Sequence, residues 1–288
     1  MRGNRGYNQE SIQDMNRTLL INLLRKEGIC ARAHLSNLSM LKQATVTNIM
    51  NDFIHWGLVK EVGFLVGNKG RRSIGISINN YDFGVLGIRL GRKNYTLGLF
   101  DLSGNLLEYK RNEVEAGQKP REIFDNIKGE ARELIGSAKG RKIIAVGMAI
   151  PGPYSERRGR IELMTGVSGW NEISIKEELT EDFKLPVFVE QDANAGALAQ
   201  YWHKEEDYKN SVLVYVADGQ GVGAGIISNG ELLKGSIGVA GEIGHTTIDL
   251  GGPKCACGNY GCLENYCSSI ALTSQVHEEL PPEKEYSF

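Results

Sequence analysis

Nowhere in the 288 residues does an apolar run approach the roughly 20 residues that a membrane-spanning helix requires. The first stretch, Met1 to Asn16, is polar and lacks the apolar centre of a secretory leader. A cytoplasmic protein with no membrane partner is therefore expected. Cysteine is scarce, five in all, too few and too unevenly spread for a disulfide scaffold. Net charge is almost absent at −2, but that average conceals an asymmetry. Residues 1–80 carry 11 Lys and Arg against 5 Asp and Glu, a net of +6, whereas the remainder carries 22 against 30. A basic head on an acidic body suits a nucleic-acid-binding module on a sensor. With 41% hydrophobic residues the chain can bury a core, and its length suits two domains.

The head reads as three helices. Ile12, Met15, Leu19, Leu20, Leu23 and Leu24 recur at helical spacing until Gly28 interrupts them, so they are expected to share one buried face. A short second helix over 32–38 would turn Leu35 and Leu38 inward. A turn at Ser39–Leu41 leads to a third helix over 43–56, with Val46, Ile49, Met50, Phe53 and Ile54 inward. Two helices separated by a tight turn form the helix-turn-helix layout, in which the second helix enters the major groove by its N-terminal end. That end carries Lys42, Gln43, Ala44, Thr45, Thr47 and Asn48, short or polar side chains suited to base edges and phosphates. Two strand-like runs, 58–62 and 73–76, flank a basic, glycine-rich tip containing Lys69, Arg71 and Arg72. Such a hairpin is a wing that reaches the DNA backbone or minor groove. The head is expected to be a mainly α winged helix-turn-helix.

Beyond Asp82 the pattern changes to strands at 84–89, 95–101 and 106–112, a helix over 121–138, and a buried strand over 143–150 ending in Pro151-Gly152-Pro153. A strand at 187–190, a helix at 193–202 and a strand pair at 211–216 and 223–228 follow. This alternation predicts an α/β body. Near its end, His245 precedes Cys255, Cys257 and Cys262. Three closely spaced thiols with a nearby imidazole have the composition of a tetrahedral zinc site, and zinc needs thiolates, hence a reducing compartment. Cys30 and Cys267 stand apart and are expected to be buried small hydrophobes.

Gly241-Glu242-Ile243-Gly244-His245, followed by Cys255-Ala256-Cys257-Gly258 and Gly261-Cys262-Leu263-Glu264, resembles the signature of the ROK family (repressor, open reading frame, kinase). Pro151-Gly152-Pro153 and Glu190-Gln191-Asp192-Ala193-Asn194 extend the resemblance over nearly the whole chain. The resemblance implies an actin-like (ribonuclease-H-like) body with a zinc loop and a sugar cleft. It places Asp192 at the catalytic-base position of the family's kinases. It also implies that Glu242, His245 and Glu264 hold sugar hydroxyls, with Gly152, Thr165 and Gln191 lining the same cleft; Gln191 replaces the usual Asn.

Where the family's kinases carry an Asp-x-Gly-Gly-Thr turn for metal and phosphates, this chain has Arg89-Leu90-Gly91-Arg92-Lys93-Asn94. The acid has become a base, and a bulky side chain replaces a glycine. The second glycine turn, from Gly219 to Gly225, has Gln220 where a kinase has Thr. The expectation is a non-enzymatic, sugar-responsive repressor. It would have a winged helix-turn-helix in residues 1–80, a ROK sensor in 81–288, bound Zn2+, a homodimeric or higher assembly, and operator DNA as partner. Two alternatives accompany it: a sugar kinase fused to a DNA-binding domain, and a truncated, non-functional paralogue, since the resemblance implies a longer second lobe.

Overall fold

The computed structural model describes residues 8–65, 72–115, 117–138, 140–156, 158–161, 169–203, 208, 211–236 and 238–279. By packing, the chain divides into two units: Met1–Val85 with Leu99–Leu107 and Ala138–Ile144, and Leu86–Gly98 with Glu108–Ser137 and Ala145–Phe288. Four of the boundaries fall within strands and the fifth falls just after a helix.

The first unit begins with α1 (Gln9–Glu27), β1 (Ile29–Ala31), α2 (Arg32–Ser39), α3 (Gln43–His55), β2 (Val59–Leu65) and β3 (Ser73–Ile78). Asn8 caps α1 by accepting the Ser11 N–H at 2.7 Å, and Gly28 closes it at φ +70 by donating to Leu24 O. The turn between α2 and α3 passes through Met40 at φ 58, the left-handed conformation that ends a helix abruptly. Ser36 Oγ donates to Leu41 O at 2.7 Å across that turn. β1, β3 and β2 form an antiparallel sheet in that order. The core is Leu20, Leu24, Cys30, Leu35, Val46, Ile49, Met50, Phe53, Val59 and Ile76, all buried. Each large aliphatic chain removed from water there contributes roughly 1.5–3 kcal/mol.

Two expectations about this core need correction. Ile12, Met15 and Leu19 are 49%, 56% and 41% exposed, so only the later part of the α1 stripe is buried, at Leu20 and Leu24. α1 packs on α2, β1 and β3, and its buried residues Leu20 and Leu24 lie in its second half. Leu38 is also exposed: it sits next to the last residue of α2, whereas Leu35, one turn earlier on the same side, is buried. The tip holding Lys69 and Arg71 lies outside the described residues, whereas Arg72 is exposed at the foot of β3.

The chain continues through β4 (Phe83–Leu90), β5 (Asn94–Phe100), β6 (Leu106–Glu113), α4 (Pro120–Gly136) and β7 (Lys142–Ile150). Next come β8 (Tyr154–Ser155), β9 (Arg160–Ile161), α5 (Ile175–Phe183), β10 (Val187–Gln191) and α6 (Asp192–His203). It ends in β11 (Val212–Asp218), β12 (Val222–Ser228), β13 (Glu231–Leu232), α7 (Glu264–Cys267) and α8 (Ser269–Glu279). A five-stranded sheet has the order β10-β7-β4-β5-β6. β10 runs parallel to β7 with Gln191 opposite Ile150, which sets the Asp192 end of one strand beside the Pro151-Gly152 end of the other.

In the second unit α4 is strongly amphipathic and buries Ile123, Phe124, Ile127, Ala131 and Leu134. Arg121 and Arg132 on α4 pair with Glu178 and Asp182 on α5. β11, β12 and β13 form a second sheet, and α6 packs on β11 and β12. No described helix is long and apolar enough to cross a membrane. Sequence patterning missed β1, α5 and α8 and the short elements β8, β9, β13 and α7. α5 had a readable start in Ser174-Ile175-Lys176-Glu177, a serine three residues before a glutamate. Cys30 is buried as expected, but Cys267 is only half-buried, since it sits at the end of the short helix α7.

Candidate functional site

One cavity of about 640 Å³ opens in the second unit, lined from the ends of β4, β7, β10 and β11 and the loop before α7. Gly152, Gln191, Asp192, Glu242, His245 and Glu264 all line it, although they are scattered over more than a hundred residues of sequence. Thr165 lies outside the described residues. Patterning gave no lining role to Asn94, Val239 or Ser269, which also face the cavity. None of these three carries a distinctive residue type or spacing.

Backbone packing explains the Gly-x-x-Gly around Glu242. A Cβ at Gly241 would stand 1.8 Å from Ala224 O, and one at Gly244 would stand 2.1 Å from Val222 O. Only bare backbone fits that close to β12, where Ala224 N–H donates to Gly241 O at 2.7 Å. Pressing this loop onto β12 aims Glu242 and His245 into the cavity. Gln191 Nε2 donates to Glu242 Oε1 at 2.5 Å. Asp192 starts α6, and its Oδ1 accepts the Ala193 N–H at 2.8 Å. Burial pushes both carboxyls above the usual carboxylate range. For Asp192, the Ala193 N–H and the charges of Arg89 and Arg92 partly offset this; for Glu242, the Gln191 amide and His245 do. Carboxylates and a carboxamide converging on one space are acceptors for vicinal hydroxyls.

His245 belongs to two constellations. It lines the cavity, and it groups with Cys255, Cys257 and Cys262 so that the four ligand atoms lie within 4.8 Å of one another. Cys257 Sγ and Cys262 Sγ are 3.7 Å apart, as are Cys255 Sγ and His245 Nδ1. Zn–S bonds of ~2.3 Å at tetrahedral angles put sulfurs ~3.8 Å apart, so the spacing fits a zinc ion. Bridges between Thr247 and Cys262 and between Lys254 and Tyr260 close the loop around the cluster. Burial pushes the Cys262 thiol up to about 12 and raises Cys255, whereas at Cys257 hydrogen bonds from the Asn259 backbone and the neighbouring thiols outweigh burial and lower it; a cation beside the cluster would favour all three thiolates. Glu264 Oε1 stands 3.5 Å from His245 Nδ1 and 3.7 Å from Cys255 Sγ, tying the cluster to the cavity wall.

Two arginines line the cavity beside these acceptors. Arg89 Nη2 lies 3.9 Å from Asp192 Oδ2, and Arg92 Nη1 donates to Gln220 O at 3.2 Å. In the first unit, Lys42, Gln43, Ala44 and Asn48 are exposed and Thr45 and Thr47 half-exposed, all on the first turns of α3 and the residue before it.

The ROK family profile matches residues 85–287. The chain belongs to the ROK family. Among ROK relatives, the xylose repressor of Caldicellulosiruptor bescii is 33% identical over 273 residues, 93% of this chain and 67% of that protein. The transcriptional dual regulator NagC of Escherichia coli K12 is 34% identical over 275 residues, 93% of this chain and 66% of its own. The chain thus spans about two thirds of the length of these curated relatives. A solved ROK transcriptional regulator, described as a homologue of the E. coli MLC protein, superposes with a TM-score of 0.78 at 30% identity, covering 96% of this chain and 72% of that one. A ROK glucokinase from Streptomyces griseus, solved with glucose and AMPPNP, matches at TM-score 0.58 and 28% identity, over 68% of this chain and 60% of its own. The ROK domain has the actin-like α/β fold, and its His/Cys cluster could hold a metal ion.

Proposed function

We propose that the protein is a sugar-responsive transcriptional repressor of the ROK family. Residues 1–80 act as a winged helix-turn-helix on double-stranded operator DNA, and residues 81–288 act as the sensor. Lys42, Gln43, Thr45, Thr47 and Asn48 meet base edges and phosphates, Ala44 packs against them, and Arg72 touches the backbone from the wing, with Lys69 and Arg71 assigned to the same wing from sequence. Glu242, Glu264, Asp192, Gln191 and His245 receive sugar hydroxyls, with Gly152 and Thr165 along the wall. His245, Cys255, Cys257 and Cys262 hold zinc, which would brace the loop and set the orientation of the imidazole.

One observation carries this reading. The chain carries both an α2–turn–α3 pair with an exposed polar first turn on α3 and an acceptor-lined cavity that Arg89 and Arg92 also line. The mechanism is linkage. A homodimer presents two recognition helices to a palindromic operator, and sugar in the cavity favours an arrangement that spaces them wrongly. A differential affinity of a few kcal/mol, on the order of 2–4, would release the DNA. The test is fluorescence anisotropy of labelled promoter fragments titrated with the protein, then with glucose, xylose, N-acetylglucosamine, fructose and allose. Operator binding weakened by one of these sugars is expected; no promoter preference at any salt concentration would reject the reading.

The likeness to a glucokinase and the presence of Asp192 in the cavity favour a second reading, a sugar kinase joined to a DNA-binding head. The two separate on whether ATP is consumed when sugar is added.

A further inference from the structure

Only Asn79 to Asp82 separate β3, the last strand of the head, from β4, the first strand of the body. A short crossing can act as a swivel or as a rigid joint, and hydrogen bonding decides which. Asn79 is 7% exposed, and its side chain bonds at both ends. Its Nδ2 donates to Gly57 O at 2.9 Å and to Asp82 Oδ2 at 2.8 Å, and its Oδ1 accepts the Tyr81 N–H at 3.2 Å. The Asn79 N–H donates to Leu58 O at 2.9 Å. Gly57 and Leu58 directly follow the end of α3, so one buried carboxamide ties the recognition helix to the start of β4. The body side is tied as closely. Lys142, the first residue of β7, donates its N–H to Asp82 O at 2.7 Å. Arg141 donates to Asn80 O, and Asn80 Nδ2 donates to Ser103 Oγ at 2.5 Å in the β5–β6 turn. The Tyr81 ring has Lys60 Nζ of β2 at 5.4 Å and the Arg141 guanidinium at 5.6 Å, one cation from the head and one from the body. All of these residues belong to the first unit.

We propose that Asn79 and Tyr81 are positioning residues that fix α3 rigidly to the first residues of β4 and β7, so that the head is carried by the sheet and does not swing from it. The role in DNA binding rests on the repressor reading; the rigidity does not. Turning the head about the crossing would break the bonds to Gly57, Leu58, Asp82 and Lys142 together. Removing the Asn79 carboxamide leaves Gly57 O and the Tyr81 N–H without these partners, a cost beyond the loss of the bonds themselves. Phe83 adds an apolar stop: it is buried, and a Cβ at Gly57 would stand 3.6 Å from its ring. The consequence lies in preorganisation. A dimer reads two half-sites at a set separation, so freedom removed from the crossing raises the fraction of molecules whose heads are correctly spaced. An effector that respaces the heads then acts along β4 and β7 and leaves the crossing intact.

The test joins hydrogen–deuterium exchange of the full chain to fluorescence anisotropy on labelled promoter fragments. In the wild type, the N–H groups of Asn79, Tyr81 and Lys142 are expected to exchange on the timescale of β4 and not of a free loop. Asn79→Ala and Tyr81→Ala are each expected to speed exchange there by about ten-fold or more, with α4 and β12 unchanged. Both should weaken promoter binding by roughly five-fold or more. Tyr81→Phe keeps the ring beside both cations and is expected to match the wild type in exchange and in binding. Tyr81 is 74% exposed, so its two variants decide the matter if Asn79→Ala does not fold. Wild-type exchange at residues 79–82 as fast as in an unfolded chain would overturn the proposal and leave the repressor reading standing. Variants that loosen the crossing yet bind promoter as the wild type does would also overturn it, since the bonds would then serve the fold alone. A wild type with no promoter preference would remove the repressor reading, while the exchange pattern still decides whether the joint is rigid.

Discussion

Arg92 Nη1 donates to the main-chain oxygen of Gln220 at 3.2 Å, so a side chain from the β4–β5 turn bridges to the glycine turn between β11 and β12. In a phosphoryl-transfer enzyme, glycine turns of this kind leave their backbone N–H groups free for a nucleotide tail. Here a guanidinium occupies that space, and position 89 offers a second cation instead of a metal-binding acid. The protein is therefore expected to show no sugar-dependent ATP consumption. Arg92→Gly alone should not restore it, because Arg89 still lacks the carboxylate. A coupled assay over hexoses and pentoses checks this, and turnover within the usual kinase range of about 1–100 per second would defeat it.

The cysteine cluster predicts a stability linked to zinc. Cys262 is fully buried, and its Sγ also reaches His245 O at 3.5 Å, so Cys262→Ser removes a ligand from the centre of the loop. Metal analysis should fall from about one zinc per chain to near zero. The melting temperature should drop by about 10 °C, a loss of a few kcal/mol for a unit of this size. Strong chelation of the wild type should do the same. A zinc-free wild-type protein that melts normally would show that the cluster has no metal role.

Asp192 makes stability depend on pH in a defined direction. Burial raises its folded value above the unfolded ~3.9, so the folded state binds more protons between the two values. Its contribution is most favourable at acid pH and declines as pH rises through the raised value. Arg89, Arg92 and Glu242 face it, and the arginines moderate the decline. Asp192→Asn should melt above wild type at pH 7, with the difference shrinking toward pH 4. It should also weaken sugar binding. Melting curves that differ by the same amount at both pH values would contradict the assignment.

The head predicts a separation of affinity from stability. Gln43 is exposed and Thr47 half-exposed, so alanine at either should leave the melting temperature within about 1–2 °C. Operator affinity should fall by roughly 10- to 100-fold, the usual cost of a lost base-edge contact. Arg72→Ala should instead weaken specific and non-specific DNA alike and reduce the salt slope by about one. Binding curves at several salt concentrations distinguish the two behaviours.

What the sequence determined by itself was local chemistry. Cysteines and a histidine at close spacing named the metal cluster. Glycines at 241 and 244, hydrophobic periodicity in α3, and the substituted residues at 89 and 92 could each be read from neighbours along the chain. The tertiary structure decided which residues meet. Ile12, Met15 and Leu19 have the periodicity of a buried face, yet whether a stripe is covered depends on what packs against it, and on α1 only Leu20 and Leu24 are buried. The two arginines that spoil a phosphate turn in sequence became donors facing a cavity only once β4 and the β11–β12 turn were brought together. Contacts across more than a hundred residues depend on strand order within each sheet and on how one sheet packs beside another, since the β4–β5 and β11–β12 turns belong to different sheets, and no local pattern of residues encodes that.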